Sequence, residues 1–337
     1  MIDVGHPAHV HLFKHITWSL QKKKNIVLFT ARDKENAIDL LRAYNFWFVK
    51  TGPHYNSILK KIYGMLKYNL SLLKIAWKFK PDILLSAGSI CAAHVSFLLN
   101  KPHISMEDTG NMEQIRLYKP FTKAILTPKS FPKDLGKKQI RYNGYHELAY
   151  LHPDYFKPNP DVLRELGIKK GEKFFILRFV AWKATHDIGH KGLSIESKRQ
   201  LIEFLGKFGK VFISSEKKLP QRLVKYKLKI SPEKIHDILY YATIYVGEGA
   251  TMASECAILG TPAIYVNDIH LGYTDEEQDK YGLIFQSIDE KQIKRRIIKL
   301  LNTKNLKKEW QNKREKLLKD NIDVTKWMLD FVECHFG

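Results

Sequence analysis

The sequence contains little cysteine, no long apolar run and few acids, and each shortage excludes a class of protein. Three cysteines, Cys91, Cys256 and Cys334, occur in 337 residues without a CxxC pair. This spacing argues against a disulfide framework or a zinc site, so Cys91 and Cys256 are expected in the core. No apolar run approaches the roughly 18 residues of a membrane-spanning helix, and no signal peptide is evident, so the expected location is cytoplasmic.

The shortage of acids leaves a strongly basic chain. Lysine and arginine number 56 against 35 acids, a formal net charge of +21. Such a surface favours anionic substrates, polyanions or acidic membranes. The lysines are spread along the chain without a nucleic-acid recognition motif, so nucleic acid is not an expected partner.

Strand and helix patterns alternate along the chain, which predicts the α/β class with mainly parallel sheets. The alternation restarts at Lys173, after the proline-containing string NGYHELAYLHPDYFKPNP, which is typical of an interdomain connection. We therefore expect two Rossmann-like domains facing across a cleft, residues 1–160 and 161–322. A last helix, 323–337, would pack back across the interface.

The stretch 246–266, VGEGATMASECAILGTPAIYV, predicts a strand, a glycine turn, a helix and a second strand. Thr251 or Ser254 is expected to cap the helix and Gly260 to end it. The free amide groups and dipole at the helix start favour a diphosphate, and Glu255 can accept hydrogen bonds from a ribose diol. The alternative is a structural turn with Glu255 as a solvated acid in the first helical turn.

Histidines crowd the first predicted turn, GHPAHVH, which leads into a helix. We expect His6 to act as a general base and His9 to bind substrate. A metal site is less favoured, because a helix start spoils the alternation of His9 and His11 that strand ligands would need. The alternative is that these histidines cap the helix or are exposed.

Two further strand ends carry candidate residues. The turn SAGS, which ends at Ser89, has small side chains that let a ligand approach the backbone. Glu107 and Asp108 follow the next strand and can bind an acceptor hydroxyl or take its proton, with Asp108 as the catalytic choice. The alternative is an Asp-Thr-Gly turn that caps the next helix.

The loop VAWKATHDIGHKG is unusually rich in tryptophan, histidine and lysine for a simple connection. Its cations can neutralise phosphate and its tryptophan can stack on a base or sugar. A solvated loop is the alternative, and a metal site there lacks a second group of ligands. The substrate-binding candidates in and around this loop are Arg178, Trp182, His186 and Lys191, with Glu216 at the next strand end.

The segment 57–80, SILKKIYGMLKYNLSLLKIAWKFK, is apolar and basic and contains no acid. It predicts a helix with one broad apolar face that lysines surround. The members of that face are Ile58, Leu59, Ile62, Met65, Leu66, Leu70, Leu73 and Trp77. This face can dock on an anionic membrane. The alternative is an ordinary helix that packs on the sheet with a lysine-rich outer face.

The string from Gly249 to Glu255, GATMASE, resembles the donor-binding segment of GT-B glycosyltransferases, especially the enzyme that adds N-acetylglucosamine to lipid-linked muramyl-pentapeptide. The resemblance implies that Gly249, Ala250 and Thr251 bind the UDP diphosphate and Glu255 the ribose. Thr251 follows Ala250 directly here, whereas the family string is Gly-Ala-x-Thr-x-x-Glu.

Longer strings resemble an uncharacterised archaeal and bacterial family that is grouped with GT-B transferases and UDP-N-acetylglucosamine 2-epimerases. They are DVGHPAHVHLFK, TARDKE, NGYHELAYLHP, LRFVAWKATHDIGHKG and GEGATMASE. The resemblance implies the GT-B architecture, with the turn at Gly5 and His6 as the acceptor-side loop. The Gly-Gly-x-x-Gly-His of the lipid-linked transferase is only Gly-His here.

Together these features predict a metal-independent, cofactor-free transfer of sugar from a nucleotide diphosphate, UDP first, to a polysaccharide or lipid-linked acceptor. The protein would work in the cytoplasm or on the inner face of the membrane. One alternative is a UDP-N-acetylglucosamine 2-epimerase. Another is a non-catalytic protein that binds polyanions or membrane through its positive charge.

Overall fold

Contacts divide the chain into two compact units. The computed structural model describes residues 1–53, 58–180, 193–215 and 218–336, with the side chains of 53, 58–63 and 336 left out. The first unit comprises Met1–Tyr150 with Ile322–Gly337, and the second comprises Leu151–Asn321. The chain passes from one unit to the other after Tyr150, earlier than the boundary at 160 that the sequence favoured.

The first unit is built on a parallel sheet of seven strands in the order β3-β2-β1-β4-β5-β6-β7. The strands are β1 Ile2–Val4, β2 Phe29–Asp33, β3 Phe48–Pro53, β4 Leu84–Ala87, β5 His103–Met106, β6 Ala124–Pro128 and β7 Gln139–Tyr142. The helices are α1 Pro7–Lys22, α2 Ala37–Ala43, α3 Ile58–Phe79, α4 Ile90–Leu98, α5 Met112–Tyr118 and α6 Leu148–Leu151. Their apolar faces cover a sheet whose strands are mostly buried, as in other parallel sheets.

The second unit has a five-stranded parallel sheet in the order β12-β11-β10-β8-β9. The strands are β8 Phe174–Phe179, β9 Lys210–Ser215, β10 Ile244–Gly247, β11 Ala263–Tyr265 and β12 Ile284–Gln286. The helices are α7 Asp161–Glu165, α8 Ile195–Gly206, α9 Ile235–Tyr241, α10 Ala250–Leu259, α11 Gly272–Asp279, α12 Glu290–Leu301 and α13 Leu306–Asp320.

The order of the strands reverses once in each sheet. In the first sheet β1 lies between β2 and β4, and in the second β8 lies between β9 and β10. Ligands of open α/β sheets bind beyond the carboxyl ends of the strands at such reversals. The turns after β1 and β4, and after β8 and β10, therefore mark where a site is expected in each unit.

Some elements begin or end away from their predicted positions. The apolar string NIVLFT, residues 25–30, predicts a strand from Asn25, whereas strand β2 starts at Phe29, where the parallel register pairs Phe29 with Ile2. The connection expected over 143–160 is partly core, since Tyr145, Leu148 and Tyr150 are at most 1% exposed. Tyrosines fill this core because their rings pack like other large apolar groups.

The last helix, α14 Val324–Phe336, belongs to the first unit and packs on α1. Before it, the Ile322 amide donates to the Asn143 carbonyl at 2.9 Å. The buried hydroxyl of Thr325 donates to the Ala149 carbonyl at 2.6 Å. Hydrogen bonds and apolar packing thus attach this helix to the end of the first unit's main segment.

No helix among the described residues combines the length and the apolarity that a bilayer crossing needs.

Replacing Thr325 by valine is expected to lower the free energy of unfolding by about 1 kcal/mol, because it removes the donor to a buried carbonyl while keeping side-chain volume. Thr325→Ser, which keeps the hydroxyl, is the matched control for that bond. Equilibrium denaturation followed by Trp327 fluorescence, in a variant that retains this tryptophan alone, measures both. Equal stability of Thr325→Val and wild type would contradict the assignment.

Candidate functional site

The turn after β1 places His6 at the start of α1. Nδ1 of His6 accepts the Ala8 amide at 3.2 Å, and Nε2 lies 3.7 Å from a Glu35 carboxylate oxygen. An accepting Nδ1 leaves the proton of the neutral ring on Nε2. His6 therefore caps the helix, as in the alternative reading, and its geometry suits a donor better than a general base.

His9 lies one turn further along α1, and the centroid of its ring is 5.9 Å from the centroid of the His6 ring. Its Nδ1 accepts the Gly5 amide at 3.4 Å. Burial, followed by the neighbouring His6, holds the pKa of His9 well below its ordinary value of 6.5. A neutral His9 carries its proton on Nε2 and can donate it to an oxygen of a ligand.

Asp108 follows β5 and forms an ion pair with His146, which follows β7. Oδ2 of Asp108 lies 2.9 Å from Nδ1 of His146, and the side chains are 19% and 11% exposed. Burial alone opposes both charges, but the attraction and hydrogen bond between the two groups outweigh it. The pKa of Asp108 is therefore lowered and that of His146 is raised.

The second ring nitrogen of His146 has a different environment. Nε2 is buried and has no hydrogen-bond partner among the described residues. Above its raised pKa the ring is neutral and still donates Nδ1–H to Asp108, which leaves the Nε2 lone pair available. This is the arrangement of a histidine base oriented by a carboxylate.

Tyr142 lies beside the pair of Asp108 and His146. Its ring stacks on His146 with centroids 6.4 Å apart, and its buried hydroxyl has no partner within the described part of the chain. Burial, followed by the charges of Asp108 and Glu147, raises the pKa of Tyr142 well above 10. The phenol thus stays protonated and can donate one hydrogen bond to a bound group.

Two other polar residues at this edge have structural roles. Glu107 is buried and accepts the amides of Thr109 and Gly110, each at 3.0 Å, so it holds the turn after β5. The Ser89 hydroxyl caps α4 by accepting the Ala92 amide and donates to Asp3 at 2.6 Å. Contact of Ser89 with a substrate stays a prediction.

In the second unit the turn after β10 requires glycine. A Cβ atom on Gly247 would lie 2.7 Å from the Cβ of Arg178 on the paired strand β8. Gly249 is the N-cap of α10, and Ala250 and Thr251 are its first residues. The predicted caps were wrong, because the chain itself turns at Gly249 and the Ser254 hydroxyl donates to Glu277 at 2.6 Å. The predicted end at Gly260 is confirmed by its left-handed φ of 67°.

Glu248 lies between these glycines, and its sequence position alone did not predict a role for its side chain. Its buried carboxylate accepts the amides of Val180 at 3.0 Å and Leu193 at 2.9 Å, and pairs with Lys198 at 2.9 Å. Glu248 therefore holds the backbone at Val180 and at Leu193. The sequence did carry a signal for this role, because Glu248 is an acid between two glycines in a turn at a strand end.

The predicted substrate residues divide between described and undescribed positions. Trp182, His186, Lys191 and Glu216 lie outside the described residues. Arg178 is the penultimate residue of β8 and donates to the Ser214 hydroxyl at 2.9 Å. Gly249, Ala250 and Thr251 come together with Arg178 at the carboxyl edge of the second sheet, as their positions in sequence suggested.

Glu255 is not the solvated acid of the alternative reading. It is 5% exposed in the middle of α10, and its Oε1 lies 3.0 Å from Nε2 of His236 on α9. The carboxylate is thus oriented by a buried imidazole. Binding of a ribose by Glu255 stays a prediction.

A sequence family described as "Protein of unknown function (DUF354)" matches residues 1–333. The chain belongs to this family. It is also 26% identical over 275 residues to the uncharacterized protein MJ0665 of Methanocaldococcus jannaschii, covering 78% of this chain and 80% of that one.

Solved structures with low sequence identity share the fold. UDP-GlcNAc 2-epimerase from Neisseria meningitidis, bound to UDP-GlcNAc, has a TM-score of 0.63 at 14% identity, covering 99% of each chain. The spinosyn rhamnosyltransferase SpnG, complexed with spinosyn aglycone, has a TM-score of 0.64 at 10% identity, covering 98% of this chain and 99% of that chain. The expected GT-B fold class, with two Rossmann-like units, is confirmed.

The Asp108–His146 pair predicts a pH-dependent stability. A raised His146 pKa stabilises the fold below the ordinary value of 6.5, and this contribution is lost as pH rises through the raised pKa. A lowered Asp108 pKa gives the reverse, so its contribution is lost as pH falls through the lowered pKa. The thermal midpoint of wild type should exceed that of Asp108→Asn most at intermediate pH, with the difference shrinking towards both extremes.

The exposed pair of His270 and Asp275, 2.8 Å apart, is the matched control. Solvent screens this pair, so Asp275→Asn should change the midpoint little at any pH. A difference for Asp108→Asn that does not vary with pH would contradict the ion pair.

Proposed function

We propose that this protein transfers a sugar from a nucleotide diphosphate donor, UDP first, to a hydroxyl of a glycan or lipid-linked acceptor. The observation that carries the proposal is the Asp108–His146 pair, which presents a buried, unpartnered Nε2 near the strand ends where α/β ligands bind. Transfer to a hydroxyl requires a base of this kind. The similar structures include a nucleotide-sugar 2-epimerase and a sugar transferase, and the transferase supports the choice of transfer.

The second unit is proposed to bind the donor. The N-terminus of α10, at Gly249 to Thr251, offers amide groups and the positive end of the helix dipole to a diphosphate. Arg178 stands on the neighbouring strand and adds a positive charge. Glu255 is proposed to accept hydrogen bonds from the ribose, with His236 fixing the carboxylate.

The first unit is proposed to act on the acceptor. Nε2 of His146 takes the proton of the attacking hydroxyl while Asp108 orients the ring and stabilises the imidazolium that forms. Asp108 is then a positioning residue, and the general base that the sequence assigned to His6 or Asp108 moves to His146. His9 can donate a hydrogen bond to the same ligand.

Departure of the nucleoside diphosphate needs stabilisation of its developing charge. The dipole of α10 and the guanidinium of Arg178 supply positive charge at that edge of the second sheet. These groups support a reaction without a metal ion, which we propose as part of the mechanism.

The donor site predicts stabilisation by nucleotide. At about 100 times its dissociation constant, UDP or UDP-N-acetylglucosamine should stabilise the protein by roughly 2.7 kcal/mol in EDTA, visible as a higher thermal midpoint. Glu255→Gln, which keeps the side-chain size, should lose most of this shift. Glu276→Gln, which changes a partly exposed acid on α11, should keep it. If no nucleotide shifts the midpoint of the folded wild type, the donor site is wrong.

The assignment of His146 as the base predicts a loss of activity that is separate from nucleotide binding. His146→Gln should lower kcat by about 10²- to 10⁴-fold, because glutamine cannot accept the proton, while stabilisation by UDP is retained. Asp108→Asn should also move the acid limb of the pH–rate profile to lower pH, since the Asp108 charge raises the pKa of His146. Transfer from radiolabelled UDP-N-acetylglucosamine to a panel of sugar glycosides and polyisoprenyl-phosphate sugars is the measurement.

His270→Gln, in an exposed pair, is the control and should keep full activity. Full activity of His146→Gln would overturn the assignment of the base. Formation of a C2 epimer of the nucleotide sugar without any acceptor would replace transfer by epimerisation.

A further inference from the structure

Helix α3 has two apolar faces, of which the first unit buries only one. Tyr68, Leu72 and Ala76 are at most 8% exposed and pack towards the sheet. Leu66, Leu70 and Trp77 are 59%, 61% and 69% exposed. Spacings of four and seven residues place these three side chains on one side of the helix. The single broad face that the sequence suggested is therefore divided, and its outer part faces away from the core.

The exposed face of α3 continues over the neighbouring helices. Asn69 of α3 contacts His94 of α4, with Nδ2 and Nδ1 3.5 Å apart. His94 in turn contacts the carbonyl of Leu117 on α5 at 3.2 Å. These contacts make the three helices neighbours, and we name the exposed apolar residues that they carry the α3–α5 surface. Its apolar members are Leu66, Leu70, Trp77, Phe97, Leu98 and Leu117.

Lysines accompany this surface. Lys67, Lys74 and Lys78 are exposed and recur along α3 beside the apolar stripe, and the helix contains no acid. Lys119 and Lys123 follow α5. Desolvation, and then the charges of Lys119 and Lys123, lower the pKa of Lys138, so these two lysines lie near Lys138. Exposed acids near these helices include Asp82, which pairs with Lys101 at 3.7 Å, and Glu113 in the first turn of α5.

We propose that the α3–α5 surface docks on an anionic lipid bilayer, whatever reaction the protein performs. Leucine, phenylalanine and tryptophan side chains can enter the boundary between headgroups and acyl chains. The lysine stems can lie along that boundary while the ammonium groups meet lipid phosphates. The exposed apolar stripe and the exposed lysines thus lie beside each other on the solvent side of α3.

Charge favours a bilayer over a second copy of this chain. An isologous dimer would place the acid-free α3 of one copy against the same surface of the other, so lysines would face lysines. An anionic bilayer supplies the opposite charge. It also covers the exposed leucines, which a nucleic acid would leave in water.

Co-sedimentation of the full chain with phospholipid vesicles tests the proposal. Wild type should bind phosphatidylcholine vesicles that contain about 30% phosphatidylglycerol, and bind pure phosphatidylcholine far less. Lys67→Gln, Lys74→Gln and Lys78→Gln together should weaken binding on the order of 100-fold, about fivefold per charge. Leu66→Asn, Leu70→Asn and Trp77→Asn together should abolish stable binding at low and at high salt.

Two matched variants of the second unit remove the same number of exposed groups elsewhere. Lys308→Gln, Lys316→Gln and Lys319→Gln control for net charge, and Ile195→Asn, Ile288→Asn and Ile298→Asn control for exposed apolar area. Both should bind vesicles like wild type.

Three outcomes would overturn the docking surface. They are no binding of folded wild type to anionic vesicles, equal weakening by the control variants, and a dimer in sedimentation velocity that the leucine and tryptophan changes dissociate. Each readout is independent of nucleotide, so a failure here is distinguishable from a failure of the sugar-transfer proposal.

Discussion

Parallel pairing of every strand is the constraint on which the rest of this structure depends. Parallel neighbours need a crossover, so each strand is followed by a return through a helix or loop, and all strand ends of a sheet meet at one edge. This brings the turns after β1, β4 and β5 together in the first unit, and those after β8 and β10 in the second. Residues far apart in sequence thus become neighbours at two edges.

Polar groups gathered at such an edge are partly buried and must find partners. Most do so within the fold: Glu107 and Glu248 each accept backbone amides, and the Ser89 hydroxyl connects a helix cap to Asp3. These carboxylates shape the turns on which a ligand would rest. His146 differs, because Asp108 satisfies one ring nitrogen while the other has no partner in the described part of the chain. A buried nitrogen left unpaired is costly unless a ligand uses it.

Helix α3 shows that packing against the same sheet also leaves apolar side chains exposed on the surface of the first unit. The sheet can cover only one side of a crossover helix, and Leu72 occupies that side. Leu66 and Leu70 remain in water on the other, next to lysines whose charge no acid of this helix offsets. On α3, the exposed lysines Lys67, Lys74 and Lys78 therefore lie beside an exposed apolar stripe.

The sequence by itself determined the α/β class, the two units and the elements with strong local signals. The end of α10 at Gly260 follows from a glycine that adopts a left-handed φ, and the last helix follows from helical periodicity. It also placed glycine turns at the strand ends. Strands β6 and β7 were not predicted, because short buried strands carry little periodicity. Only the tertiary structure paired Asp108 with His146, buried Glu255 against His236 and divided the faces of α3, because burial and charge pairing depend on which strands become neighbours.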